Sequence, residues 1–549
     1  MTIYDLLAER RETARTTRDQ GDQFERLMQA FFRTDPLYRE KFSDVWLWQD
    51  WPGRNGRPDC GIDLVAQQAD SDDLWALQCK FWDHRVTKED LDSFFTESGK
   101  RPFTQRLIVA TSTLSKHAEE AMEGQWVDTH TLTLDDLDHS AIDWGQFSWA
   151  HPDSLRIRQP KIPRPHQERA IADVLEGFQT ADRGQLIMAC GTGKTLTGLH
   201  VAEALVPPEG GTVLVLTPSI ALVSQTLREW TAEARRSLRS YAVCSDTKVG
   251  KDTEDLRPSD LSFPATTDPQ KLAEEITRSR TSGATTVIFS TYQSIEVISQ
   301  AQQHQGLPAF DLVICDEAHR TVGTAQKTAK GQTQSYFTMV HEEAFVRARK
   351  RLYMTATPRI YAEDSKRRAE DNSVVLYSMD DEAVFGPEFH RLPFSEAVEA
   401  DILSDYKVII LTVDEAEALA LFGEDIHDEK KLDAKLTDEA KIVGCLRAFA
   451  KRFPKEEDDD IDTTPMQRVV AFTNSIADSK RVTHLLSQVT ESLPAGQDDL
   501  LLAESQHVDG TMNVANRNAA LTWLKGASSD ASCRVLTNAR CLTEGIDVP

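Results

Sequence analysis

The sequence has no paired cysteines, no long apolar run and no surplus of positive charge, and each absence narrows what the chain can be. Its cysteines (Cys60, Cys79, Cys190, Cys244, Cys315, Cys445, Cys533 and Cys541) never stand in a C-x-x-C pair. Several fall in stretches that read as strands, so reduced core thiols are expected rather than disulfides or a zinc site. No apolar run reaches the roughly 18 residues of a membrane-spanning helix. The opening MTIYDLLAERRETARTTRDQ also lacks the apolar core of a secretory signal. A cytoplasmic location is therefore expected. Lys and Arg number 62 against 88 Asp and Glu, a formal net charge of −26. The first 150 residues follow suit, with 17 basic against 28 acidic side chains. Such a surface excludes indiscriminate binding of polyanions, so any nucleic-acid site must be a local groove on an acidic body. At 549 residues the chain has room for several packed domains.

What is present is organised around QLIMACGTGKTLT, residues 185–197. An apolar run enters a loop in which Gly191 and Gly193 flank Thr192, followed by Lys194 and Thr195. Glycines let backbone N–H groups turn inward around phosphate, the lysine neutralises the β- and γ-phosphates, and the Thr195 hydroxyl ligates Mg²⁺. The strict pattern asks for glycine where Met188 stands, but the cradle depends on the two glycines that are present. Gln167, in RPHQERAI ahead of this loop, suits hydrogen bonding to both donor and acceptor edges of adenine. Alone it is an ordinary helix-capping residue.

Downstream, apolar strands end in short polar clusters. Val213–Leu216 runs into Thr217, Pro218 and Ser219, and Val287–Phe289 into Ser290 and Thr291. Runs apolar on every residue suit a parallel sheet buried on both faces, where ligands bind at the carboxyl ends of strands. Leu312–Cys315 leads into Asp316, Glu317, Ala318 and His319. Here an aspartate can hold Mg²⁺ and the adjacent glutamate can activate water. Arg351–Met354 leads into Thr355, Ala356, Thr357 and Pro358. A second half starts near Leu392, with strands at Val408–Val413 and Val469–Phe472, the latter followed by Thr473 and Asn474. His507, Asp509 and Gly510 form another loop after an expected strand, and Val535–Thr537 precedes ARCLTEGIDVP with Thr543, Glu544, Gly545 and Asp547.

Residues 1–145 read as one α/β unit. Leu6–Phe32 has helical periodicity, and strands are expected at Ile62–Ala66, Leu74–Cys79, Arg106–Thr111 and Thr131–Leu134, with helices near Lys88–Phe95 and Ser115–Gln125. Asp63 and the Q-x-K of Gln78 and Lys80 lie on two neighbouring strands. They bring a carboxylate, an amide or backbone oxygen and an ammonium to one edge, which suits metal-assisted phosphodiester hydrolysis. On spacing alone, Asp63 serves equally well as a turn carboxylate and Lys80 as a solvated strand end. Glu25, on the preceding helix, is a further metal candidate, and Asp59 a substitute with a turn role favoured by Pro58. Residues 146–163, rich in proline, read as a stiff connection.

Residues 164–549, with the phosphate loop, DEAH, TATP and TEGID in order, resemble superfamily two helicases. The G-x-x-F-E opening around Gly21, Phe24 and Glu25 resembles Mrr-like nucleases of the PD-(D/E)xK fold. Together they resemble the Type ISP restriction enzymes, single-chain relatives of Type I systems. The resemblance implies an α/β architecture: a restriction-endonuclease-like nuclease domain (1–145), a linker (146–163), and two RecA-like parallel-sheet motor domains (164–391 and 392–549), the second truncated. It implies ATP and Mg²⁺ as cofactors, double-stranded DNA as partner, and methyltransferase and target-recognition domains further along the parent chain. Asp63, Gln78 and Lys80 would then be catalytic with Glu25 assisting at the metal, and Glu317 would activate water. Gln167, Gly191, Thr192, Gly193, Lys194, Thr195, Asp316, His319, Gly545 and Asp547 would hold the nucleotide. Thr217, Pro218, Ser290, Thr291, Thr473, Asn474 and Thr543 would touch DNA. The motif that supplies arginine fingers falls after Pro549, so the chain as written is expected to bind ATP but turn it over poorly. The competing expectation is a repair or remodelling helicase whose front domain only binds DNA or a partner.

Overall fold

The computed structural model describes residues 1–14, 16–69, 71–122, 125–244, 261–281, 283–325, 336–371, 375–406, 408, 441–451, 464–492, 500–509, 512, 514–526 and 532–539. These fall into two compact units that divide between Asp405 and Tyr406. The expected strand at Val408–Val413, apart from Val408, and the Thr543, Gly545 and Asp547 positions lie outside the described residues.

The first unit opens with a five-stranded sheet in sequence order: β1 (Phe42–Leu47), β2 (Leu64–Gln68), β3 (Leu74–Lys80), β4 (Phe103–Ala110) and β5 (Asp128–Leu132). β1 to β3 run antiparallel, whereas β3, β4 and β5 are parallel. The change of direction follows from the connections: a short turn joins β2 to β3, and helix-bearing crossovers join the later strands. Helix Thr17–Thr34 lays Phe24, Leu27, Met28, Phe31 and Phe32 into the core beside this sheet. The sequence suggests one helix over Leu6–Phe32, but two form, Ile3–Thr13 and Thr17–Thr34. Ala14 is extended, and the Thr16 hydroxyl accepts the Asp19 N–H at 3.1 Å, so a new helix is capped there. β1 carries no clean alternation because its register shifts between Phe42 and Asp44.

The second sheet of this unit is seven-stranded. Its members are β6 (Arg183–Met188), β7 (Thr212–Thr217), β8 (Leu238–Val243), β9 (Thr285–Thr291), β10 (Leu312–Cys315), β12 (Arg351–Thr355) and β14 (Glu388–Leu392). Between them, β11 (Gly323–Ala325) and β13 (Val375–Tyr377) make a separate ribbon. The order β14-β6-β12-β10-β7-β9-β8 is parallel throughout, which brings the loops after β6, β7, β9, β10 and β12 to one rim. Residues 392–405, read from sequence as the opening of the second motor half, belong to this first unit. Leu392 completes β14, and helix Phe394–Glu399 follows it.

The two sheets of the first unit are docked together rather than merely tethered. Tyr38, on helix Pro36–Lys41, donates through its hydroxyl to the Ser262 carbonyl at 2.8 Å. Arg228, on helix Ile220–Glu233, pairs with Asp136. The same helix ends in buried Glu233, which accepts the Lys161 N–H at 2.7 Å and pairs with Arg158 at 2.7 Å. The aromatic residues at the start of the connection pack inward: Trp144 is buried and stacks on Phe31 at 6.2 Å.

The described part of the second unit holds a parallel sheet of β15 (Arg468–Phe472), β17 (Ser532–Asn538) and β16 (Leu502–Val508), with helix Ile476–Ser492 packed on it. The fold class is thus mixed α/β, a mixed five-stranded sheet followed by parallel sheets.

Candidate active sites

At the first site, β2 and β3 do the positioning. Asp63 immediately precedes β2, its carbonyl accepting the Trp48 N–H at 2.8 Å and its own N–H donating to the Leu77 carbonyl at 2.9 Å. Its carboxylate accepts the Cys79 N–H at 2.7 Å, which ties it to the strand that carries Gln78 and Lys80. Gln78 is buried, and its Oε1 has no hydrogen-bond donor among the described residues. Lys80 ends β3 with its ammonium 4.7 Å from the Trp82 ring centre. Glu25 comes from helix Thr17–Thr34, close enough to share the field of Asp63. Burial, then repulsion from Asp63, Asp22 and Asp59, pushes the Glu25 carboxyl up to about 8. Burial also pushes Asp63 up to about 7, against the Cys79 amide and the Lys80 charge and helped by Asp59. Asp59 itself is exposed and accepts the Gly61 N–H at 3.0 Å, as a turn residue does.

Two carboxyls whose ionisation burial opposes, Glu25 also feeling the Asp63 charge, together with a buried carbonyl oxygen that has no donor among the described residues, form an oxygen-only set short of positive charge. Such a set fits a hard divalent cation. Among the described residues no group of three or more His, Cys, Asp or Glu stands ready for a metal. That does not conflict with Mg²⁺, which is commonly held by one or two carboxylates and keeps several waters.

The second site lies on the rim of the seven-stranded sheet. β6 stops at Met188, and Gly191 (φ 81°) and Gly193 (φ 85°) take left-handed conformations that turn the loop into helix Lys194–Leu205. The Thr192 hydroxyl closes the loop on the Ala189 carbonyl at 2.7 Å, and the Lys194 ammonium donates to the Met188 carbonyl at 3.3 Å. The Thr195 carbonyl is fixed by the Trp230 indole N–H at 3.1 Å. Opposite, Asp316 follows β10, buried, with one carboxylate oxygen accepting the Glu317 N–H at 2.9 Å. Glu317 is left-handed at φ 47°, a strained state for a non-glycine residue and one that clusters at functional sites. Burial works to raise its carboxyl, but the His319 hydrogen bond and the Lys194 charge outweigh it and hold it below the ordinary range. His319 Nδ1 lies 3.3 Å from Glu317 and 3.0 Å from the Thr355 hydroxyl, joining the DEAH strand end to the TATP one.

Gln167 takes the helix-capping place that the sequence also allowed it. Its amide nitrogen donates to the Thr192 carbonyl at 3.2 Å, and its amide oxygen accepts the Arg164 N–H at 2.8 Å. The nitrogen braces the phosphate loop, while the oxygen caps the start of the residue's own helix. The polar clusters are likewise inward-facing. Thr217, Ser290 and Thr291 are buried at the ends of β7 and β9, and Pro218 beside Thr217 is buried with them. The Thr217 hydroxyl bonds the Ser219 carbonyl at 3.1 Å, that of Ser290 bonds the Thr291 carbonyl at 3.0 Å, and that of Thr291 donates to Ser294 at 3.2 Å. Any contact they make to a strand must run through backbone groups or a loop shift.

In the second unit, Thr473 donates to the Asn538 carbonyl at 3.0 Å and Asn474 is exposed. His507 sits between Ser479 (2.6 Å) and buried Asp509 (2.7 Å). Sequence reasoning missed His166, whose Nε2 lies 3.0 Å from the Thr192 carbonyl, and Leu403, whose side chain lies 3.1 Å from where a Cβ on Gly191 would stand. Neither has a motif to mark it.

Residues 33–154 match a family described as restriction endonuclease, and residues 161–360 one described as Type III restriction enzyme, res subunit. The structure of the ATP-dependent Type ISP restriction-modification enzyme LlaBIII bound to DNA is 37% identical over 100% of this chain, with a TM-score of 0.82. The chain belongs to the Type ISP restriction-modification family. It spans 35% of the LlaBIII chain. A nuclease-deletion mutant of the Type ISP enzyme LlaGI, in complex with a DNA substrate mimic, is 38% identical over 47% of this chain and 22% of its own. Its TM-score is 0.34. No curated protein matches. The chain thus combines the nuclease and helicase domains of a hydrolase. No helix among its described residues is long and apolar enough to cross a membrane.

Proposed function

We propose that this chain is the cutting and moving part of a Type ISP enzyme that translocates on double-stranded DNA by ATP hydrolysis and cleaves it, restricting foreign DNA. The observation that carries the reading is the Asp63, Glu25 and Gln78 oxygen set beside Lys80, docked in one compact unit with the phosphate loop. In it, Asp63, Glu25 and the Gln78 oxygen hold the cation, and Lys80 steadies charge developing on the scissile phosphate. When bound, Mg²⁺ supplies the charge that acidifies an attacking water and neutralises phosphate oxygens.

At the motor site the amides from Gly191 to Thr195 cradle the phosphates, Lys194 neutralises them, and Thr195 and Asp316 orient the metal-bound nucleotide. Glu317, kept ionised at neutral pH, accepts the proton of the hydrolytic water. His319 passes the change at Glu317 to Thr355. Gly545 and Asp547 complete the nucleotide site, and Thr543, Thr473 and Asn474 line the DNA path with the rim after β7 and β9, on sequence grounds. Domains for modification and target recognition in the same parent chain supply site choice.

The rival reading, a helicase with a front domain that only binds, has no use for two half-buried carboxyls both raised by desolvation, Glu25 further by the Asp63 charge. The test is a triplex-displacement assay on linear duplex run with a nicking assay. ATP-dependent displacement with metal-dependent cutting supports the proposal, and displacement without cutting at any metal concentration supports the rival.

A further inference from the structure

We propose that Trp82 is a positioning residue of the nuclease site: its ring parks the Lys80 ammonium and so leaves the Asp63–Glu25 pair open to a divalent cation. The inference rests on the nuclease reading above. A lysine beside two half-buried carboxylates ought to fall onto them, since an ammonium is the simplest neutraliser available there. Among the described residues, however, Lys80 forms no ion pair within 4.0 Å. Its charge still acts on Asp63, but its Nζ stands over the indole of Trp82, 4.7 Å from the ring centre. An indole face is a favourable seat for an ammonium.

The backbone that carries the ring is pinned, and the ring itself packs against the core of the five-stranded sheet. The Trp82 N–H donates to the Thr111 hydroxyl at 2.9 Å, and that hydroxyl donates back to the Trp82 carbonyl at 2.9 Å. The Thr111 N–H donates to the Lys80 carbonyl at 3.0 Å, and the Ser112 hydroxyl to that of His84 at 2.7 Å, so the strand exit is riveted to the end of β4. The indole also stacks on the His84 ring at 4.7 Å and 21°. Asp83, the acidic neighbour that would otherwise draw the lysine outward, is paired with Arg11 at 2.6 Å. Lys80 is therefore kept near the carboxylates without occupying them.

Calorimetric titration of the nucleotide-free, DNA-free chain with Mn²⁺ tests this. Trp82→Leu should weaken Mn²⁺ binding at the Asp63 site about two- to fivefold, the scale of one cation–π contact at a partly exposed position. Trp82→Phe, which keeps an aromatic face, should restore most of the loss. In a Lys80→Ala background Trp82→Leu should have no effect, because no ammonium remains to collapse onto the carboxylates. Unchanged binding in Trp82→Leu, or a loss that persists without Lys80, overturns the role given to Trp82. If Asp63→Asn leaves Mn²⁺ binding intact, the nuclease site itself has been misassigned.

Discussion

Replacing Glu25 with glutamine should stabilise the metal-free protein at alkaline pH while removing its use for a cation. The carboxyl is pushed from an ordinary 4.5 up to about 8, chiefly by burial and then by Asp63. An acid whose folded pKa is raised makes the native state hold the extra proton. Stability therefore falls as pH rises from the unfolded value toward 8, and the cost is fully present above that. Between pH 6 and 9 the wild-type protein crosses the folded pKa. At face value, two units at about 1.4 kcal/mol each give roughly 3 kcal/mol. The group is partly open to solvent, so screening reduces this to about 1–2 kcal/mol. The glutamine of Glu25→Gln has the same shape and no charge to desolvate. In EDTA-treated samples the variant's melting temperature should therefore exceed wild type, by a gap that widens by about 1–2 °C from pH 6 to pH 9. Mg²⁺ should raise the wild-type value at pH 9 and leave the variant unmoved. If both proteins lose stability in parallel from pH 6 to 9, the carboxylate pair is not strained as described.

Other substitutions probe separate links. Gly193→Ala places a methyl 2.1 Å from the Gln167 amide on a φ of 85°, at about 1–2 kcal/mol of backbone strain alone. Binding of a fluorescent ATP analogue should weaken by about tenfold, and affinity within twofold of wild type would count against the bracing role of Gln167. Gly184→Ala drives a methyl to 2.0 Å from the Phe389 ring, so denaturant unfolding should show a loss of about 1–3 kcal/mol, relieved in part by Phe389→Leu. Arg228→Met strips buried Asp136 of its cationic partner, leaving it the Thr133 donors, and should cost about 1–3 kcal/mol. Faster amide exchange in helix Pro36–Lys41 would report the loosened docking, and unchanged exchange would show that the contact carries little.

How far the sequence reached can be traced residue by residue. The central strands of the seven-stranded sheet were legible because a parallel strand buried on both faces is an unbroken apolar run, whereas its edge strands β8 and β14, half polar, were not. Leu312–Cys315 came out at its observed bounds, and the ends of β7, β9 and β12 shifted by a residue or two. β1 was not legible, since a bulge breaks the alternation that would announce it. Helix Ile3–Thr13 merged with the next because apolar spacing continues across a break that only the Thr16 cap reveals. The extent of the first unit to Asp405 was also hidden. It depends on β14 adding to β6 from residues far away in sequence, a pairing that composition does not encode. At the sites, spacing brought Asp63, Gln78 and Lys80 to one edge, and motif order aligned Lys194 with Glu317. Gln167 shows the limit: a motif can name a residue while the hydrogen bonds around it decide what it holds.

The central claim is that one chain carries two separable engines, and a pair of variants in the intact enzyme addresses it most directly. DNA cleavage and ATP hydrolysis should be measured side by side, with Mg²⁺, on DNA carrying the enzyme's sites. Lys80→Ala is expected to hydrolyse ATP at the wild-type rate and to leave the DNA uncut, whereas Lys194→Ala should lose both activities. Cleavage by Lys80→Ala at the wild-type rate would contradict the account.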